Sequence, residues 1–136
     1  MRRRPLDSAT SPARLLAMLR LTLRIDFDQA RSIGHGKIKL LETIDGHGSI
    51  SAAARALEMS YRRAWLLVDA TNKTFEEPVV AAKLGGKGGG TARLTPFGRA
   101  LVETYRALER DALDRFGPRL AKFTKRIAKE APKLER

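Results

Sequence analysis

Two adjacent arginines, Arg62 and Arg63, follow Ser60 and Tyr61 near the middle of a 136-residue chain. A guanidinium can bond O6 and N7 of one guanine together, which lysine cannot copy, and it can equally clamp a phosphate. Lys87 stands inside the glycine run Gly85–Gly90, and Arg93 follows shortly after. A ribbon bare of side chains, here Gly86, Lys87, Gly88 and Gly89, lets a cation and the backbone approach a polyanion closely. Ser49 and Ser51 precede an alanine run. Serines there cap a helix, and a helix start also donates to phosphate. The chemistry on offer is recognition of phosphates and base edges.

Bond-making chemistry finds less support. The chain holds no cysteine, which removes disulfides, thiolate nucleophiles and cysteine-ligated zinc. His35 and His47 each sit beside glycine, with no second ligand at a metal-like spacing, so neither is expected to bind a metal. The serines cluster at expected helix starts and assemble no nucleophilic triad. The glycine run is not a nucleotide-binding loop, because Gly88 follows Lys87 where serine or threonine is needed and position 81 is alanine. Neither an enzyme nor a cofactor is expected.

Charge points the same way. The balance of 27 basic against 15 acidic residues leaves a net charge of +12. It is distributed as +4 over residues 1–31, +3 over 32–95 and +5 over 96–136. Such a field attracts nucleic acid first and an anionic membrane second. No apolar run approaches the ~20 residues of a membrane span, and none near the start forms a secretory core, so a cytoplasmic, nucleoid-associated protein is expected. Peripheral attachment through residues 118–131 lacks a strong apolar face.

The elements that must position these residues can be read from periodicity. Leu19, Leu21, Leu23, Ile25 and Phe27 alternate with polar residues, predicting a strand over 19–27. A helix over 36–45 carries Ile38, Leu41 and Ile44, and Gly46 is expected to end it. A second helix starts at Ser49 or Ser51. A third runs from Tyr61 to Asn72, capped by Ser60, with Ala64, Trp65 and Val68 expected in the core. Residues 79–95 predict a hairpin with a glycine-rich tip. Thr95-Pro96 then starts a long helix whose stripe is Phe97, Leu101, Tyr105, Leu108, Ala112 and Phe116. A further basic helix is expected over 119–131.

Short helices joined by a tight turn and followed by a hairpin make a winged helix-turn-helix. The segment from Gly48 to Ser60 resembles the helix-turn-helix of LysR-type regulators. Its continuation Tyr61-Arg62-Arg63-Ala64-Trp65, with Gly85–Gly90 and Leu94-Thr95, is closer to the DNA-binding domain of the molybdate-responsive ModE family. The resemblance covers about residues 19–116. It implies a dimeric winged-helix transcription factor, with the helix after the wing in the dimer. Full-length ModE proteins add molybdate-binding modules, and residues 117–136 do not resemble them. Molybdate or tungstate binding is implied by the resemblance only. Glu58 occupies a turn position often held by glycine, where a left-handed conformation would cost about 1 kcal/mol.

The fold class expected is therefore mainly α with a small sheet, a winged helix-turn-helix with an N-terminal strand. Residues 1–13 form a disordered basic arm, 14–95 the DNA-binding domain, 96–116 a dimerisation helix and 117–136 a basic, partly helical tail. Ser60, Tyr61, Arg62 and Arg63 face the major groove. Ser49 and Ser51 meet phosphate, and the wing contributes Gly86, Lys87, Gly88, Gly89 and Arg93. The expected partners are double-stranded DNA and a second copy of the chain. Competing expectations are a low-specificity architectural DNA binder and an oxyanion-sensing or partner-binding module.

Overall fold

The computed structural model describes residues 18–84 and 90–134. The described residues divide into two compact units, one within residues 22–109 and one of residues 18–21 with 110–134. Among the described residues no helix is long and apolar enough to cross a membrane.

The larger unit opens with β1 (Arg24–Asp26) and β2 (Ser32–Gly34), an antiparallel pair with Ile25 opposite Ile33. The strand expected over 19–27 is thus paired over three residues only, and its partner was not foreseen. Asp28 makes the turn between them: its carboxylate accepts from the backbone of Ala30 and Arg31 and pairs with the Arg31 guanidinium. β2 ends at Gly34, where a helix begins at His35, so no strand is left to pair the residues before Arg24.

Helix α1 (His35–His47) follows directly and buries Ile38, Leu40, Leu41 and Ile44. It runs past Gly46; the left-handed stop is Gly48, at φ 78°. Gly48 opens α2 (Ile50–Ala56), where Ser49 Oγ accepts from the Ala52 N–H at 3.0 Å. A turn through Glu58, at φ 56°, leads into α3 (Tyr61–Thr74). That non-glycine left-handed residue stores strain of about 1 kcal/mol, which the bond from Met59 N–H to the Ala54 carbonyl helps to hold. Ala53, Ala54 and Ala64 are all buried, so α2 and α3 meet over small side chains and cross closely.

The hairpin of β3 (Val80–Lys83) and β4 (Thr91–Leu94) pairs Val80 with Leu94 and Lys83 with Thr91. Asn72, late on α3, holds its base: Oδ1 accepts from Val79 and Val80 N–H, and Nδ2 donates to the Val80 carbonyl. Thr95 caps α4 (Pro96–Phe116) by accepting from Gly98 N–H at 2.9 Å while donating to the Pro78 carbonyl. A Cβ at Gly98 would overlap the Val79 carbonyl, so glycine is required where α4 starts against the hairpin.

Along α4, Tyr105 is 1% exposed and donates to the Leu23 carbonyl at 2.6 Å, tying β1 to the helix. Its neighbour Arg106 donates to both oxygens of Glu42 on α1, at 2.6 and 2.9 Å, and to Glu109 at 2.6 Å. The Arg106 guanidinium holds the Glu42 carboxyl below its ordinary range, and the two carboxylates push Arg106 further upward. An aromatic chain that no periodicity announced, Phe27 to Phe75 to Phe97, packs edge to face at 5.4 and 5.3 Å between centroids.

In the smaller unit the described residues are 18–21 and 110–134, including the end of α4. A 3-10 turn (Gly117–Leu120) and the four-residue α5 (Ala121–Thr124) follow. The helix expected over 119–131 therefore stops at Thr124. Gly117-Pro118 breaks continuity, and Phe123 and Ile127 are 59% and 62% exposed, so no buried face rewards a longer helix.

Replacing Gly98 with alanine should cost about 1–3 kcal/mol by overpacking, read as a lower urea midpoint. Gly46→Ala, inside α1 with nothing within 4 Å of the new carbon, should instead add about 0.5–1 kcal/mol. Glu42 binds a proton less readily in the folded chain than in the unfolded one. Its stabilising effect is present above the ordinary glutamate pKa and lost as pH falls through the depressed value. Stability should decline as pH falls through and below the ordinary glutamate range. Arg106→Ala should flatten that decline in acid denaturation curves and cost about 1–3 kcal/mol at neutral pH.

Candidate nucleic-acid interface

Geometry at 100° per residue sorts the side chains of α3 into faces. Ala64, Val68 and Thr71 are buried and define the inward face. Arg62 and Leu66 lie opposite, one turn apart on the outward ridge, and Leu66 is 47% exposed. Tyr61 and Trp65 share one flank, at 47% and 43% exposure, while Arg63 occupies the other. Trp65 thus departs from its expected place in the core. It stands about 100° round from Ala64, and the inward stripe has no room for a side chain of that size beside three small or medium ones.

Ser60 is the cap that the spacing predicts, its Oγ accepting from Arg63 N–H at 3.1 Å. It holds the first turn of α3 while Tyr61, Arg62 and Arg63 all stay exposed. The two arginines leave the helix on different sides, so their surroundings differ. Arg63 borders a cleft of about 440 Å³ together with Arg24, Lys37, Met59 and Leu67. The other cations there are engaged, Arg24 with Asp26 and Lys37 with the Ser32 carbonyl. Arg62 borders neither this cleft nor the hairpin.

The hairpin lies on the Tyr61 side. A small cleft of about 50 Å³ is lined by Ser49, Ser51 and Tyr61 from the helices and by Lys83, Gly90 and Thr91 from the hairpin. Ala92 N–H donates to the Gly48 carbonyl at 2.8 Å, and Asp45 accepts from Leu94 N–H while pairing with Arg99. These bonds stitch β4 to the α1–α2 corner. The start of α2, the start of α3 and the base of the hairpin therefore border one surface. Ser49 is committed as a cap, and Ser51 Oγ accepts from Arg55 at 3.0 Å. Arg93 is exposed on β4, opposite Ala81. Gly86, Lys87, Gly88 and Gly89 lie outside the described residues.

Sequence reasoning missed Lys83 as a member of this surface and Leu66 as an exposed residue of α3. A wheel drawn from Ala64 and Val68 would have found Leu66; Lys83 needed the hairpin register. On α4 the stripe divides. Phe97 and Leu101 are partly buried against the core and Tyr105 is inside it, Ala112 is half-buried, and Leu108 and Phe116 are each 44% exposed. His35 Nδ1 lies 3.4 Å from Arg106, and among the described residues no group of His, Cys, Asp or Glu is arranged to hold a metal.

Comparison with known proteins follows the same outline. No family profile matches the chain. It is 40% identical over 105 residues, or 75% of its own length, to the molybdenum transport protein ModE of Azotobacter vinelandii. It is 37% identical over 93 residues to the DNA-binding transcriptional dual regulator ModE of Escherichia coli K12, 68% of this chain. The molybdenum-pterin-binding protein MopA of Rhodobacter capsulatus is 45% identical over 80 residues, 59% of this chain. The matches cover 39%, 33% and 30% of those three relatives, so the chain spans well under half of each.

Removing the α3 cap with Ser60→Ala should lower stability by about 1 kcal/mol in urea titrations. Ser51→Ala, whose hydroxyl caps no helix, should change it by less than about 0.5 kcal/mol.

Proposed function

Since the chain carries a ModE-like domain, we propose that it is a DNA-binding transcriptional regulator, gripping a two-fold site as a homodimer with α3 in the major groove. The observation that carries this reading is the start of α3, where Arg62 and Arg63 stand exposed while Tyr61 beside them borders the hairpin base. The net charge of +12 supplies the sequence-independent attraction. Arg62 reads a base edge, and Arg63, on the flank, contacts backbone phosphate. Tyr61 and Ser60 set the entry of the helix. Lys87, Arg93 and the glycines of the tip follow the backbone or minor groove, and Ser49 and Ser51 start a helix turned towards phosphate.

Pairing of α4 with its symmetry mate is part of the same proposal. Leu108, Ala112 and Phe116 supply its open apolar surface, continued inward by Phe97, Leu101 and Tyr105. Two copies so joined present recognition helices about one DNA turn, ~34 Å, apart. No catalysis is proposed. The printed name of the MopA relative favours a second reading, in which molybdate or tungstate acts on the chain. A rise in melting temperature at low molybdate would support it, and no step of DNA recognition here depends on it.

Selection from random duplexes should return a two-fold motif, and a flat selection would favour an architectural binder instead. Arg62→Ala should cost about 1–3 kcal/mol and relax preference at one base pair of each half-site. Arg63→Ala and Lys87→Ala should weaken all duplexes alike and shallow the salt slope by about one each. With six to ten phosphates neutralised, affinity should drop about 10³–10⁵-fold between 50 and 200 mM salt, measured by fluorescence anisotropy.

A further inference from the structure

Leu66 is an exposed aliphatic side chain on the outward ridge of α3. It is 47% exposed, one turn beyond Arg62, with Lys73, paired at 2.8 Å with Asp69, further along that side of the helix. Leu67, the next residue, already packs against the core, so the helix gains nothing for its own fold by presenting Leu66 outward.

Resting on the reading of α3 as the groove-entering helix, we infer that Leu66 is a specificity residue that recognises the 5-methyl group of a thymine. The reason is a matching of surfaces. A leucine pressed against a guanine, cytosine or adenine edge strips water from donors and acceptors and returns no hydrogen bond, which is unfavourable. The thymine methyl is the one apolar group that the major groove exposes. Burying methyl against leucine removes apolar surface from water at no such cost. Charge complementarity brings the ridge there: Arg62 lies on the same line, beside the guanidinium-bearing Arg63. Four residues at 1.5 Å rise separate Arg62 and Leu66 by about 6 Å, close to two base steps of 3.4 Å. The thymine therefore lies within about two base pairs of the position that Arg62 reads.

The test uses the full chain and the duplex that random selection returns, with deoxyuridine replacing thymidine at one position at a time. Loss of one methyl contact is worth about fourfold in affinity. One position per half-site should show that loss with the unsubstituted protein, within about two base pairs of the one that Arg62→Ala relaxes. Leu66→Ala should bind thymidine and deoxyuridine duplexes equally. Leu66 is exposed, so that variant should keep its melting temperature and its salt slope. If every deoxyuridine duplex binds as well as its parent, or if Leu66→Ala stays equally sensitive to the methyl, the inference is overturned while a selected motif leaves the wider reading standing. A selection that returns no motif overturns both.

Discussion

The close crossing of α2 and α3 is the constraint on which the rest of the molecule depends. Ala53, Ala54 and Ala64 are buried with almost no accessible surface, and larger side chains there would force the helices apart. The turn that allows the crossing is bought with a left-handed Glu58, about 1 kcal/mol that a glycine would not have required. Everything that faces outward from α3 takes its direction from this contact. A helix rotated or tilted here would redirect Arg62 and Leu66 and part Tyr61 from the hairpin base.

Two sets of bonds keep that geometry from relaxing. Asn72 ties the far end of α3 to the strand entering the hairpin, and the Gly48 carbonyl receives Ala92 from the returning strand. Gly98 then lets α4 start directly against Val79. Also on α1, Glu42 is bridged to Glu109 by Arg106, and the second oxygen of Glu109 is buried without a partner. A cation held between two carboxylates is resistant to losing either, because each carboxylate left alone would carry an uncompensated, partly dehydrated charge. The exposed face of α3 and the hairpin base are thus held by polar ties of long sequence separation as well as by apolar burial.

Legibility in the sequence followed the length and regularity of each pattern. The caps at Ser60 and Thr95, three of the four core positions of α1 and the bounds of α4 were visible, because capping and helical periodicity are local rules. By sequence Ser49 and Ser51 are alternative caps of α2, and Leu40 was not foreseen. The end of α1 was missed by two residues: Gly46 and Gly48 are equally plausible stops locally, and the bond from Gly48 to Ile44 decides between them. The partner of β1 was invisible since three residues carry too little pattern. Trp65 was misjudged because its size argued for burial while its angle argued for exposure, and angle prevailed.

Composition and spacing alone determined a basic chain, capped short helices in series and a glycine-tipped hairpin. These are properties of single residues and their near neighbours, and they suffice to name an α-rich, polyanion-seeking fold. Which way each arginine leaves α3, that Lys83 borders the same cleft as Ser49, and that Tyr105 turns inward while Leu108 stays open were decided by the tertiary structure. Those outcomes depend on contacts tens of residues apart. A side chain's face is set by what its helix packs against, and no local pattern contains that partner.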